Sequence, residues 1–403
     1  MQRMEPTAPR ERWLVLDVLR GFALFGVLLG NLYALYSLRW LSMIGPQHVH
    51  ESTAIDTAAQ WFMAMVVESR AQTLLTFMFG LGFAMQLIRA DARGEPVLGL
   101  YVRRLVVLFA IGALHVTLLW WGDVTWGYAI VGFALLPLRR RAMRTLWIVA
   151  AACLAAAIAM RSSRGVPCVD DALFGADSFA RVNADTAAAI HGTSHSALAL
   201  AQIAQGVMWT LADSGAYLLW LLGRFAIGYI AGIRRIFERD GADHLRLFRR
   251  ILVICGALTA CSIAITIASY EGAFGHGDRG VWVRVALVTN DEVGWLAQAM
   301  FYVAIVVLLL QRARWRRVLA MVAPVGRMPL TTYVLQSVIC TSLFYGWGLH
   351  WSTPGDAATL GLAAIIFAVQ IALAQLWLRA YRFGPLEWLW RALVYLERPR
   401  MRV

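Results

Sequence analysis

The feature that most constrains this chain is a series of apolar stretches, each too long for an ordinary soluble core element, repeated along its whole length. Roughly 13–36, 72–88, 104–121, 124–138, 145–160, 206–233, 251–269, 292–311, 328–346 and 357–380 approach the ~20 apolar residues that cross a bilayer's hydrocarbon layer. Inside lipid every backbone N–H and C=O must be paired within the protein, and segments of this length do so as helices. Of 403 residues, 60% are hydrophobic and 15% charged, which excludes the usual soluble classes. The expectation is an all-α integral membrane protein, a polytopic bundle of about 10 transmembrane helices in one domain spanning 1–403. It divides into a cytoplasmic tail (1–12), five spans (13–160), an outside surface loop with some helix (161–205), five further spans (206–380) and a second cytoplasmic tail (381–403).

Arginine placement tests that count independently. There is no lysine, so all 37 basic residues are arginines. With both termini cytoplasmic, 28 of them fall inside, seven outside (Arg39, Arg70, Arg161, Arg164, Arg181, Arg279, Arg284) and two within spans (Arg20, Arg224). This is the asymmetry of the positive-inside rule. The net charge of +13 therefore reports topology and contact with anionic lipid headgroups, with no nucleic-acid partner needed. Four of the five cysteines lie in expected spans, so no disulfide framework is implied. The first apolar segment carries charge and lacks a cleavage site, and reads as a retained span.

Charge inside a span is expensive and is expected to face the bundle interior, paired. In "LDVLRGFALFGVLLGN" (16–31), Asp17, Arg20 and Asn31 share one helical stripe. Either they line a site, or Asp17 and Arg20 simply pair with each other. Gly26 and Gly30 form a small-xxx-small pair of the close-packing kind. In "YVRRLVVLFAIGALHVTLLWWGDVTWGYAIVG" (101–132), Arg103 and Arg104 stand at the cytoplasmic mouth, and His115 lies eleven residues beyond Arg104 on the same face. His115 and Asp123 are eight apart and out of register on a straight helix, so they meet only if the chain bends at Gly122. A buried histidine beside a carboxylate is a general-base arrangement. The plainer alternative is an interhelical histidine and a helix-capping aspartate. Glu68 and Gln72 share an expected stripe, as do Asp213, Tyr217 and Arg224; Tyr333 and Gln336 sit on the ninth span beside Thr332. Each serves interhelical hydrogen bonding as well as a ligand. His48 and His50 with Glu51 are a weak metal pattern in a loop, and no metal is expected.

Four ordered motifs, "LDVLRGFALFGVLLGN", "LLTFMFGLGF", "RRLVVLFAIGALHVTLLWWGD" with "YAIVG", and "GRMPLTTYVLQSVI" with "FYGWGL", resemble the YeiB family, domain of unknown function 418. Pro329 and Thr332 stand where family members more often show alanine and asparagine. That family is related to the transmembrane acyltransferase superfamily, which includes acyltransferase family 3 and heparan-glucosaminide N-acetyltransferase. The resemblance implies a ten-helix core in a bacterial cytoplasmic (inner) membrane and acyl transfer from cytoplasmic acyl-CoA. The match of site residues is partial. Asn31 occupies the position of the catalytic histidine of acyltransferase family 3, and Val107 that of its second paired arginine. The heparan enzyme also has an asparagine there, with its catalytic histidine in the following outside loop, where this chain has His48 and His50.

The expected activity is O- or N-acyl transfer from acyl-CoA, acetyl-CoA foremost, to an envelope or small-molecule acceptor. Arg20, Arg103 and Arg104 would hold the donor, His115 would take the acceptor's proton with Asp123 orienting it, and Asn31 or Gln336 would steady the oxyanion. A homodimer is compatible with the sequence. The rival class is a transporter or flippase that uses the buried charges and makes no bond; a third is an assembly or sensor protein.

Overall fold

Backbone that cannot reach water pairs along its own helix. The computed structural model describes residues 13–36, 53–92, 97–163, 178–212, 216–275, 280–351 and 354–403, and these are helical apart from turns and a single bridge between Tyr381 and Arg402. The helices are α1 (Leu14–Asn31), α2 (Ala54–Phe62), α3 (Arg70–Ala92), α4 (Val97–Leu118), α5 (Thr125–Leu135), α6 (Met143–Ser162), α7 (Ser178–His191) and α8 (His195–Ala212). They continue as α9 (Ala216–Ile233), α10 (Leu245–Tyr270), α11 (Val281–Leu310), α12 (Ala313–Ala320), α13 (Ala323–Arg327), α14 (Pro329–Phe344), α15 (Asp356–Ala380) and α16 (Pro385–Tyr395). Among the described residues, eight helical stretches are long and apolar enough to cross a membrane, and two shorter apolar ones, Thr125–Leu138 and Pro329–Phe344, occupy the fourth and ninth expected spans. The chain is thus an all-α polytopic membrane protein.

Within the expected span 206–233 the described residues are 206–212, which end α8, and the crossing helix α9; residues 213–215 lie outside the described residues. Much of the expected 161–205 loop is a helical hairpin, α7 with α8, tied by a bond from Gln205 Nε2 to Asn183 Oδ1 (2.8 Å). It lies against the bundle where the Gly346 N–H donates to the Ile190 carbonyl (2.7 Å) and Trp209 packs on Trp121. Sequence alone missed this because the hairpin is only moderately apolar and buries its contacts against distant residues.

The core is set by close backbone approach. A Cβ on Gly80 of α3 would run into the Phe225 carbonyl of α9, and one on Gly228 would run into the Phe77 carbonyl, so these two glycines let the helices touch. Of the GxxxG pair, Gly26 abuts Ala71 while Gly30 faces open space. Peripheral helices leave apolar side chains outside: Val253, Ile254 and Leu258 of α10 are exposed, as lipid contact requires.

The arginine clusters converge on one end. Asp240, in a left-handed turn, accepts from the Val15 N–H (3.0 Å) and pairs with Arg316 (2.9 Å). Tyr229 donates to the Arg139 carbonyl (2.8 Å) and Arg103 to the Val394 carbonyl (3.0 Å). At the opposite end Asp56 accepts from the Ala357 N–H (3.0 Å), and Gln60 donates to Asp356 (2.6 Å). The positive-inside asymmetry of the sequence is therefore an end-to-end asymmetry of the bundle.

One cap matters for the site. The first N–H groups of a helix have no partner within it. Pro329 opens α14, and Glu387 of α16 accepts from the Leu330 N–H (2.6 Å), the Thr331 N–H (3.1 Å) and the Thr331 hydroxyl (2.5 Å). Burial raises the Glu387 carboxyl above its usual pKa, partly offset by these donors. The C-terminal helix thus fixes the start of the helix that carries the site.

Candidate active site

The "HVTLLWWGD" motif makes the bend that the helical register demands. At the end of α4 the N–H groups of Leu119 and Trp120 both point to the His115 carbonyl (2.9 Å each), so the last turn widens. Trp120 then folds over Gly122, where a Cβ would collide with its indole, and the chain reverses to bring Asp123 back beside His115. Asp123 Oδ2 stands 3.1 Å from His115 Nδ1, and both side chains are buried. The other carboxylate oxygen accepts from the Thr125 N–H (2.8 Å), the Thr125 hydroxyl (2.7 Å) and the Trp126 N–H (3.3 Å). Asp123 therefore caps α5 with one oxygen, the plainer of its two sequence readings, and sets the other beside the histidine.

On its other side His115 meets Ser337 of α14, Nε2 to Oγ 2.8 Å. The Ser337 Oγ in turn accepts from the hydroxyl of Tyr36 (2.6 Å), which sits at the end of a π-helical turn (Leu32–Tyr36) extending α1. The phenol donates to the serine; assigning the serine as donor to Nε2 leaves the imidazole proton on Nδ1, which stands 3.1 Å from Asp123 Oδ2 without the alignment of a hydrogen bond. Tyr333 stacks on the imidazole (ring centroids 5.2 Å), and Trp120 covers Tyr36 (4.4 Å). The Trp120 Nε1–H is buried with no hydrogen-bond partner. The two short spans, α5 and α14, bound this site; α14 has 16 residues and reaches about 24 Å, less than the ~30 Å hydrocarbon layer.

The remaining candidates fall elsewhere. Asp17 and Arg20 pair with each other (3.3 Å), the plainer of the two readings. Asn31 ends α1, half-buried. Gln336 neighbours Ser337 in sequence, but its amide donates to Gln370 (3.0 Å) and toward the Leu24 carbonyl (3.4 Å), joining α14 to α15 and α1. Glu68 does not share a helical stripe with Gln72: it lies in an elbow before α3, where Ser69 has φ 62° and Arg70 gathers the carbonyls of Ala64 (2.6 Å) and Glu68 (2.8 Å). Gln72 donates to Tyr217 (3.0 Å). Arg224, fully buried, lies over the Trp220 ring and pairs with Glu292 (2.7 Å), whose other oxygen pairs with Arg161. Arg103 and Arg104 meet α16: besides the Arg103 bond to Val394, the Arg104 guanidinium sits 4.2 Å from the centre of the Trp390 ring. His48, His50 and Asp213 lie outside the described residues. Among the described residues no group of three or more histidine, cysteine, aspartate and glutamate side chains is arranged to hold a metal.

Sequence reasoning missed Ser337 and Tyr36. A serine in a membrane helix ordinarily reads as a small interface residue. Its one available signal is that Ser337 follows Tyr333 by four residues and so shares its face.

A family described as a protein of unknown function (DUF418) matches residues 231–397, which include Ser337 and Glu387. Along nearly their whole lengths, the chain is similar to the uncharacterized protein YxaH of Bacillus subtilis (strain 168), 30% identical over 419 residues and covering 98% of each chain. It is likewise similar to the uncharacterized protein YeiB of Escherichia coli (strain K12), 29% identical over 95% of this chain and 96% of that one. An uncharacterized 39.9 kDa protein in the amylase 3′ region of Bacillus acidopullulyticus is 26% identical over 97% of this chain and 96% of its own.

Proposed function

The chain belongs to the DUF418 family, and from its buried His115–Asp123 pair we infer that it is a membrane-embedded acyltransferase of a bacterial cytoplasmic membrane. In this reading it moves an acyl group, acetyl foremost, from cytoplasmic acyl-CoA to a hydroxyl or amine of an envelope or small-molecule acceptor.

The observation that carries the reading is the chain of contacts Ser337–His115–Asp123 in a dry part of the bundle. Acyl transfer moves one proton off the attacking group and another onto the leaving sulfur. A neutral imidazole with a carboxylate behind it suits both tasks, because the carboxylate stabilises the imidazolium formed between them. His115 Nε2 is the atom that takes and returns the proton, and Asp123 holds the ring in the tautomer that leaves Nε2 free to accept. Donor approach is supported by the cationic junction at the arginine-rich end, where Arg103 and Arg104 of α4 meet α16, which itself carries Arg391. Guanidinium groups there suit the donor's phosphates. Eleven residues of α4 separate Arg104 from His115, about 16 Å along the axis, a distance the extended pantetheine arm spans.

The test is ligand stabilisation of the purified full-length protein. Acetyl-CoA at a hundredfold excess over its Kd adds about 2.7 kcal/mol to stability, a clear rise in melting temperature. The rise is expected with acetyl-CoA, to be absent with ATP, and to weaken in Arg103→Ala. A cooperative melt that no acyl-CoA moves, up to millimolar concentration, removes the donor and brings transport forward as the class to test.

A further inference from the structure

We propose that Ser337 is the nucleophile of this site, so that the acyl group passes through an ester on its Oγ on the way to the acceptor. The inference rests on the acyl-transfer reading above and adds a covalent intermediate to it.

The first ground is orientation. Hydroxyls within membrane helices usually return their proton to the carbonyl one turn back, and this chain's threonines do so: Thr73 to Ser69 (2.7 Å), Thr76 to Gln72 (2.7 Å), Thr117 to Ala113 (2.8 Å), and Thr341 of the same helix to Ser337 (2.8 Å). Ser337 lies 3.4 Å from the corresponding Tyr333 carbonyl and only 2.8 Å from His115 Nε2. Its hydroxyl is turned from its own helix to a base whose far nitrogen faces a carboxylate. Those are the roles of nucleophile, base and orienting acid in acyl-transfer triads, recognised by geometry and independent of fold.

The second ground is an unspent donor. Tetrahedral intermediates need hydrogen bonds at the developing oxyanion. The Trp120 Nε1–H is buried without a partner, and its indole ring packs on Tyr36, whose hydroxyl already touches Ser337. A buried donor left without an acceptor costs about 1–3 kcal/mol. When a thioester carbonyl takes the phenol's place on Ser337, the freed Tyr36 O–H and the Trp120 N–H are the donors available to the oxyanion. Tyr36 sits in a π-helical turn, an irregularity frequent at functional sites.

The steps balance. Ser337 Oγ bonds to the thioester carbonyl carbon while its proton passes to His115 Nε2. The carbon–sulfur bond breaks, and the CoA thiolate leaves with that proton as the thiol. The acceptor's hydroxyl or amine then gives its proton to Nε2 as it attacks the ester carbon, and Ser337 departs and recovers the proton.

Two probes test this on the intact protein in detergent or nanodiscs. The first is acetyl-CoA labelled in the acetyl group, without acceptor, quenched in acid and mapped by peptide mass spectrometry. The second is a fluorophosphonate, which labels serines activated by a neighbouring base and needs no CoA site. The expected result is an acetyl ester on Ser337, released by hydroxylamine, and fluorophosphonate on the same residue. Both signals should fall about a hundredfold or more in Ser337→Ala and in His115→Ala, with melting curves confirming that the variants are folded. Fluorophosphonate on Ser337 with no acetylation upholds the nucleophile and overturns the acyl-CoA reading. CoA release that persists in Ser337→Ala, with no ester trapped in the wild type, overturns the nucleophile and keeps the acyl-transfer reading. Neither label on folded wild-type protein overturns the nucleophile.

Discussion

Replacing Asp123 by asparagine changes one atom type and, by the geometry around it, one proton. Oδ1 is claimed by three donors, the Thr125 N–H, the Thr125 hydroxyl and the Trp126 N–H, so the asparagine keeps its oxygen there. Its NH2 group must then face His115 Nδ1, where Oδ2 now stands at 3.1 Å. An amide can only donate to that nitrogen, which forces the imidazole proton onto Nε2 and turns Nε2 from acceptor into donor toward Ser337. The contacts survive, so the stability cost is below about 1 kcal/mol, whereas the base is lost. The same tautomer inversion in serine proteases lowers kcat by about 10⁴, equivalent to about 5.4 kcal/mol of transition-state stabilisation. Asp123→Ala is the contrast: it strands three donors at about 1–3 kcal/mol each and should lower the melting temperature by many degrees. The assay is CoA-thiol release beside a melting curve, with ¹⁵N shifts of labelled histidine reporting the tautomer. Asp123→Asn turning over within tenfold of wild type, or keeping its proton on Nδ1, would refute the reasoning.

Glu292→Ala should cost about 3–5 kcal/mol, read as a fall in melting temperature, because it leaves Arg224 charged, fully buried and unneutralised beside Arg161. Glu387→Ala removes the acceptor of two backbone N–H groups and a hydroxyl at the start of α14. A loss of about 1–3 kcal/mol is expected, with faster amide exchange confined at first to residues near Leu330, and an unchanged melt would count against the cap. The α7–α8 hairpin should loosen on acidification. His191 Nδ1 and His350 Nε2 lie 2.8 Å apart, and burial together with His350 holds the His191 pKa below its usual value. The undocked hairpin binds more protons between that lowered pKa and the ordinary value of about 6.5, so docking strengthens as pH rises through the window and is lost as pH falls. Hydrogen exchange in α7 at two pH values checks this, and His350→Gln should flatten the dependence.

Much of the architecture is legible in the sequence for one physical reason. In lipid the backbone has few solutions, so apolar length reads out most of the spans directly. The bend at Gly122 is legible too, because His115 and Asp123 cannot meet on a straight helix. What escapes is long-range. Glu292 neutralises both Arg224 and Arg161 from a helix far away in sequence, and nothing local marks the three as partners. Ser337 looks like any small residue of a helix interface until the fold sets it against a base 222 positions earlier. Glu68 falls off its expected stripe because a π-helical turn and a positive φ at Ser69 break the helical period just there. Of the two residues expected to steady the oxyanion, Gln336 is engaged in joining helices, and Asn31 ends α1 five residues before the tyrosine that reaches the site.

The most direct measurement is the rate of CoA-thiol release from acetyl-CoA by the wild-type protein and by His115→Ala, reconstituted side by side in proteoliposomes. Saturable release is expected of the wild type and a loss of about 10³-fold or more of the variant, with both proteins melting cooperatively. Equal release by the two, or none by the wild type with any acyl-CoA, would contradict acyl transfer through His115.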